Sequence, residues 1–328
     1  MDARADEISA KIQMIHNWLR NSDREVVLFL GAGMGREAKP PLPLASDVSC
    51  AMAAHLGLND PEGVSRRFSM DEIAEWFEHE CSWTELCDFL AAQIADARRQ
   101  AGEAYLTAGR LPFAQYVTTN YDTVLERAIG QEQQVILSPF NDLRTSGVKH
   151  IFKIHGTIGK RDKASLIVTT SQYEKLLYDG SGQLESQLRT WLQNAHLVFV
   201  GFNLKGPEFL RIYALARNEL AKRDGDLPRH IAVYPGSHKL ERDFWHRRGI
   251  SIVDLDAKGF FRALDSYFTP TETEAELIRK IKALTGNPPA PDLILQETTR
   301  SGGDKLQALK YILIREQLKQ NATPGGAK

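Results

Sequence analysis

Apolar positions along the chain follow two periods. Ile8, Ile12, Ile15 and Leu19 recur at helical spacing and predict an amphipathic helix over roughly residues 5–20. Val26 to Leu30 is instead a short unbroken apolar run, suited to a strand covered on both faces, and it ends in Gly31-Ala32-Gly33. A proline-rich loop (Pro40, Pro41, Pro43) leads to a helix predicted over about 46–56, with Ser46 as its N-cap. Further helices are predicted at 70–80 and 83–99 with no strand between them, the second presenting Leu86, Phe89, Leu90 and Ile94 on one face. That succession marks about 58–110 as a helical insertion on a sheet.

Strand-like runs then follow at 114–118, 135–137, 150–154, 166–168, 196–200, 230–234 and 250–253. Helical patterns lie between many of them, notably at 183–194 and 207–222. This alternation predicts an α/β fold: a Rossmann-like parallel sheet with helices on both faces and the helical insertion. Beyond Tyr267 the pattern changes to a helix over 271–284, a proline-rich break at 287–292, a helix over 305–319 and a disordered tail over 321–328. The expected division is a main domain over 1–268 and a C-terminal helical extension over 269–328. No internal repeat is evident.

Composition narrows the function. The 328 residues, 42% of them hydrophobic, suffice for a large core without disulfides. Lys plus Arg number 41 against 42 Asp plus Glu, a net charge of −1, so no global field draws the protein to nucleic acid or an acidic membrane. No apolar run approaches the roughly 20 residues needed to span a bilayer. Asp2, Asp6 and Glu7 ahead of any apolar run do not read as a signal peptide. The expectation is a soluble cytoplasmic protein with no direct nucleic-acid or membrane binding. Cys50, Cys81 and Cys87 contain no CxxC pair, so no zinc module and no bound metal are expected.

Four segments place chemistry at strand ends, where open α/β sheets bind ligands. Gly31-Ala32-Gly33 after the first strand allows a backbone to approach a pyrophosphate, but it lacks the G-x-G-x-x-G spacing, and the missing G-K-[ST] ending excludes a P-loop. By itself it reads equally as a tight turn. Thr118-Thr119-Asn120-Tyr121-Asp122 sets Asn120 at a strand tip with Asp122 available as a helix cap. Lys153-Ile154-His155-Gly156 puts an imidazole at the same rim, available for proton transfer near neutral pH. Val200-Gly201-Phe202-Asn203 is a second strand-to-glycine turn, in which Asn203 is a hydrogen-bonding candidate for a ribose or a backbone group.

In this order and spacing the four segments resemble the sirtuin family, and more closely its SIR2-like branch found in bacterial anti-phage defence proteins. The similarity runs from about Val26 to Phe261 and includes Leu42-Pro43, Leu166-Ile167-Val168-Thr169, Ser171-Gln172-Tyr173, Val253-Asp254 and Phe260-Phe261. The resemblance implies an NAD-binding domain over 1–268. Gly31, Ala32 and Gly33 would hold the pyrophosphate, Asn120, Asp122 and His155 would lie at the nicotinamide ribose, and Gly201 and Asn203 near the adenosine half. Asn120 would match the family's water- or ribose-positioning asparagine and His155 its catalytic histidine.

Two departures shape the expected activity. Deacylating sirtuins carry a four-cysteine zinc module that three scattered cysteines cannot supply, and their usual serine after the glycine turn is Gly35 here. Where many SIR2-like proteins have Asp-Pro after the fourth motif, this chain has Gly206-Pro207-Glu208. The expectation is therefore an NAD+ glycohydrolase with NAD+ as substrate, gated as an anti-phage effector, homo-oligomeric, with a possible partner ATPase or nuclease. The alternative is a non-catalytic NAD or ADP-ribose sensor or scaffold acting through oligomerisation with such a partner.

Overall fold

A computed structural model describes residues 3–131, 133–137, 147–178, 183–206, 209–210, 213–214, 229–268, 273–301 and 303–322. Among these residues the chain builds a seven-stranded sheet in the order β5-β6-β4-β1-β7-β8-β9, with every pairing parallel. The strands are β1 (Val26–Leu30), β4 (Gln115–Thr118), β5 (Gln133–Leu137), β6 (Lys149–Lys153), β7 (His196–Val200), β8 (His230–Val233) and β9 (Ile250–Val253). A two-residue antiparallel pair, β2 (Ala38–Lys39) with β3 (Gln100–Ala101), stands apart.

The central strand shows why the sheet is covered twice. All five residues of β1 are buried. Val26, Leu28 and Leu30 enter one apolar cluster and Val27 and Phe29 the other, as the two-residue period of a strand requires. Full burial of such a side chain contributes about 1.5–3 kcal/mol. Helix α1 (Ala3–Asn21) closes one face with the predicted stripe, burying Ala5, Ile8, Ile12 and Ile15. Helix α9 (Gln183–Asn194) closes the other with Leu184, Trp191 and Leu192.

Between β1 and β4 lies the predicted insertion: α2 (Ala45–His55), α3 (Pro61–Arg67), α4 (Met70–Glu80), α5 (Trp83–Ile94) and α6 (Glu103–Arg110). It is not wholly helical, because β3 pairs with β2 and ties its far end to the loop after β1. The 83–99 helix stops at Ile94, where Ala95 adopts φ +45° and a short 3-10 turn follows. After β4 in the chain, α7 (Val124–Ile129) precedes β5 and α8 (Thr170–Tyr178) follows the β6 loop.

One predicted strand is absent. Residues 166–168 join no ladder; the Gln172 carboxamide replaces strand pairing by accepting from the Val168 and Thr169 N–H groups and donating to the Leu166 carbonyl. The helix predicted at 207–222 lies largely outside the described residues, as do 323–328 of the predicted tail. Residues 321–322 of that tail instead complete the last helix.

After β8 come α10 (Lys239–His246), β9 and α11 (Ala257–Asp265), then α12 (Glu274–Thr285), α13 (Pro291–Arg300) and α14 (Lys305–Ala322). The stretch at 287–292 expected to break the chain contains Pro291, which starts α13, a position where the missing N–H costs nothing. Helices α12 and α14 share a small apolar cluster of Leu277, Ile281, Leu309, Ile312 and Leu313, against which Leu293 and Ile294 of α13 pack. Tyr311, Ile314 and Leu318 of α14 meanwhile join the main cluster beside α1. Among the described residues no helix is long and apolar enough to cross a membrane.

Candidate active site

The chain runs from β1 out to β4, β5 and β6, then returns to the other side of β1 with β7, so the strand order reverses between β1 and β7. Open α/β sheets bind ligands in the crevice at such a reversal, beyond the carboxyl ends of the strands. Both predicted glycine turns flank it. The Gly31 N–H donates to the Val200 carbonyl at 3.1 Å and the Gly33 N–H to the Gly201 carbonyl at 2.9 Å, so the two turns are packed backbone to backbone.

This packing accounts for the glycines without any ligand. A Cβ on Gly31 would lie 2.6 Å from Phe202 Cα, and one on Gly33 2.8 Å from Gly201 Cα. Gly201 has φ +61°, and its added Cβ would stand 2.7 Å from the Gly33 carbonyl carbon. Ala32 is exposed at the tip of the turn. Only a six-residue 3-10 helix follows, Ala32–Glu37, in keeping with the proline break behind it. Gly35 stands against Leu42, whose Cβ would be 2.9 Å from a side chain there, and its carbonyl accepts the Leu42 N–H at 2.9 Å. In the second turn the Asn203 Oδ1 accepts the Lys205 N–H at 3.0 Å.

Asn120 reaches this crevice from the tip of β4. Its backbone N–H donates to Thr118 Oγ1 at 3.0 Å, and its Nδ2 donates to the Gly31 carbonyl at 3.2 Å. The asparagine and the glycine turn predicted as separate candidates are thus in direct contact. Asp122 is buried and its Oδ1 accepts the Val124 N–H at 3.0 Å; the N-cap position of α7 is Thr123, so Asp122 closes the turn ahead of the helix instead of occupying the cap foreseen for it. Burial raises its carboxyl above the usual range, against the pull of the Lys153 ammonium.

His155 follows β6, one strand further from the crevice. Its Nδ1 lies 3.1 Å from the Tyr173 hydroxyl, and the two rings meet edge to face at 4.8 Å. The loop beneath it is held on both sides: the Ile154 N–H donates to the Thr118 carbonyl at 3.0 Å, the Ile167 N–H to the His155 carbonyl at 3.1 Å, and the Tyr121 hydroxyl to the Ile167 carbonyl at 2.7 Å. Gly156, at φ +79°, brings the chain against Ser165, whose carbonyl carbon would lie 2.8 Å from an added Cβ.

Three residues to which the motif reading gave no role support the site. Lys153 is fully buried; its ammonium donates to the Asp122 carbonyl and to Glu126 Oε1 at 2.8 Å, locking the end of β6 to the turn that carries Asn120. Tyr173 is the ring partner of His155. Tyr105, from the insertion, is buried with its hydroxyl raised well above the ordinary tyrosine range, by burial first and then by the Asp122 charge. An apolar strand ending in lysine was a visible signal for Lys153, since a charged residue in such a run needs a buried partner. Nothing local marked Tyr105.

The insertion is fastened to the His155 side. Thr170 Oγ1 donates to Asp71 at 3.0 Å, the Ser171 N–H to Glu75 at 2.8 Å and Trp83 Nε1 to the Arg161 carbonyl at 2.6 Å. Cys87 is buried, Cys50 half-buried and Cys81 exposed, and among the described residues no cluster of three or more His, Cys, Asp or Glu side chains is disposed to hold a metal.

Residues 114–253, from the start of β4 to the end of β9, match the family model of the SIR2-like domain. The match takes in Asn120, Asp122, His155, Gly201 and Asn203, and leaves the Gly31 turn outside it. Two curated relatives are similar over part of their length. The NAD(+) hydrolase ThsA of Bacillus cereus (strain MSX-D12) is 28% identical over 196 residues, 56% of this chain and 40% of the relative. The NAD(+) hydrolase ThsA of Enterococcus faecium is 27% identical over 118 residues, 34% of this chain and 24% of the relative. The chain therefore spans less than half the length of the curated relatives it matches. Among solved structures, one from work on the mechanism and regulation of Sir2 enzymes aligns with a TM-score of 0.45 at 12% identity, covering 77% of this chain and 94% of that one.

Proposed function

We propose that the SIR2-like domain is an NAD+ glycohydrolase that cleaves the nicotinamide–ribose bond. The observation that carries the reading is the contact between Asn120 and the Gly31 carbonyl. It joins a strand-tip asparagine to the glycine turn at the sheet's reversal point, with His155 just beyond the end of the next strand. The names of the two related hydrolases support the choice of substrate.

In this reading Gly31, Ala32 and Gly33 take the pyrophosphate, Gly201 and Asn203 the adenosine half, and Asn120 and His155 the nicotinamide ribose. Asp122 acts from behind, accepting the Val124 N–H and holding the Asn120 turn in place. The glycosidic C–N bond breaks with its electron pair passing to the pyridinium nitrogen, so nicotinamide leaves neutral and needs no general acid. Water adds to the ribose carbon and gives up a proton, yielding ADP-ribose. Asn120 positions that water and His155 receives the proton. For this Nε2 must be unprotonated, which places the ring proton on Nδ1, donating to the Tyr173 oxygen. No metal enters the scheme. The same site in a homo-oligomer or beside a partner protein would be gated, because unrestrained hydrolysis depletes a cofactor the cell requires. An anti-phage effector role belongs to this proposal.

Nicotinamide release from NAD+ by the purified protein is the test, with and without candidate partners. Asn120→Ala and His155→Ala should each lower release at least a hundredfold while the melting temperature stays within a few degrees. Undiminished turnover in both variants would overturn the assignment. Retained NAD+ binding without release by the wild type under every condition would identify a sensor or scaffold instead.

A further inference from the structure

At the opposite end of the sheet, where the strands begin, a cleft of about 490 Å³ opens between α1, the first residue of β7, the residue before β8 and the last turn of α13. It is separated from the strand-tip site by the length of β7, five residues or roughly 16 Å. Two guanidinium groups, Arg229 and Arg300, line it beside Asn17, Trp18, His196 and Met14. No carboxylate is among its described lining residues.

These groups are held in place. The Trp18 and His196 rings stack with centroids 4.1 Å apart and planes within 1° of parallel, forming a flat aromatic wall. His196 Nδ1 in turn accepts the Arg229 backbone N–H at 3.2 Å, fixing the backbone from which that guanidinium extends. Arg300 Nη1 donates to Glu297 Oε1 at 2.9 Å, and Glu297 is itself buried. One such bond leaves most of the five guanidinium donors available. Asn17 Oδ1 accepts from the Tyr311 hydroxyl at 3.3 Å, which leaves its amide N–H groups as donors.

We propose that this cleft binds an organic phosphate of nucleoside-monophosphate size, with its phosphate on Arg229 and Arg300 and its planar base along the wall formed by Trp18 and His196. The charge selects the class: a phosphate monoester is close to dianionic and matches two guanidiniums, which bind phosphate oxygens in bidentate fashion, whereas a carboxylate matches one. The volume lies within the range of small-molecule sites, and an aromatic wall favours a planar group. The ligand would touch both α1 and the C-terminal extension, and would stabilise their docking by mass action. This inference is independent of the hydrolase reading.

Isothermal titration calorimetry of the full chain tests it, with AMP, inorganic phosphate and adenosine as the probes. AMP should bind saturably and at least tenfold more tightly than either of its parts. Arg229→Gln and Arg300→Gln should each weaken it at least tenfold; both side chains are exposed, so the variants should fold, which circular dichroism checks. Asn203→Ala, at the strand-tip site, should leave this binding in place. Absence of AMP binding at millimolar concentration would overturn the proposal. So would AMP binding that survives both arginine substitutions, or inorganic phosphate binding as tightly as AMP.

Discussion

At the tips of β1 and β7 the rim of the sheet is held by backbone packed on backbone, whereas at the tips of β4 and β6 it is held by side chains. Gly31, Gly33 and Gly201 touch one another through main-chain atoms, with no room for a Cβ between them. Asn120, Lys153, His155 and Tyr173 are instead linked by hydrogen bonds to carbonyl, carboxylate and hydroxyl oxygens. The first arrangement fixes the crevice; the second supplies groups that can move protons or orient water. A substitution among the glycines should therefore cost the fold, and one at Asn120, His155 or Tyr173 should cost the chemistry.

The glycine side offers the largest effect. Gly201→Ala combines a left-handed backbone with a collision against the Gly33 backbone, and neither contact can be relieved by rotating a side chain. We expect a loss of at least about 4 kcal/mol, which falls among the most severe point mutations and should leave little soluble protein. Urea unfolding of whatever folds measures it. A Gly201→Ala protein with near-wild-type stability would show that the two turns are not packed as described.

Lys153 tests whether the side-chain half has a structural keystone of its own. Lys153→Ala removes the partner of a buried Glu126 carboxylate and the donor to the Asp122 carbonyl, and should cost about 3–5 kcal/mol. Lys153→Met with Glu126→Gln replaces the ion pair by neutral groups of similar size and should recover most of that loss. Failure to recover would mean that the lysine matters for something other than the pair. Equilibrium unfolding of the three variants separates these outcomes.

Acid probes both halves from outside, because its strongest targets belong to neither. His230, at the start of β8, is held near pKa 3, chiefly by burial and then by the neighbouring His196; His16, beneath Tyr267, Phe268 and Tyr311, is held near 4, chiefly by burial and then by Arg20. Both values are depressed from 6.5, so the unfolded chain takes up protons that the folded chain refuses. Stability is therefore full above about pH 6.5 and falls below it. The loss continues to about pH 4 for His16 and pH 3 for His230, at no more than about 1.4 kcal/mol per pH unit for each. Unfolding at pH 7 and pH 5 measures the slope, and His16→Leu should reduce it by up to half. An unchanged slope in that variant would remove His16 from the account.

Local pattern was sufficient where the determinant was local. The β1, β7 and β9 boundaries are those read from strand-like runs, and the Asp122 bond to the start of α7 followed from a short polar side chain before a helical stretch. What escaped depended on partners distant in sequence. Residues 166–168 have the composition of a strand, yet Gln172 satisfies their backbone, and no apolar count registers a single carboxamide. A motif shows where glycine stands but not what lies across from it, and across from Gly31 lies a second turn 170 residues away at Gly201. Tyr105 reaches the Asn120 region from the insertion, which no spacing within the four motifs could indicate.

Tyr173→Phe gives the smallest and most discriminating effect. The substitution keeps the ring that meets His155 edge to face at 4.8 Å and deletes only the oxygen 3.1 Å from Nδ1. If the contact serves packing alone, stability and turnover should both stay near wild type. If the oxygen selects the ring's tautomer, Nε2 loses its bias toward the unprotonated form and kcat should fall about tenfold, equivalent to roughly 1.4 kcal/mol, with KM and melting temperature little changed. The split between kcat and KM decides between a positioning role and a mere packing defect. Loss of the hydroxyl should lower kcat alone, whereas a packing defect would raise KM and lower the melting temperature with it. A tenfold fall confined to kcat would show that the side-chain half of the rim works through orientation of one imidazole, a function that the backbone-packed glycine half has no group to perform.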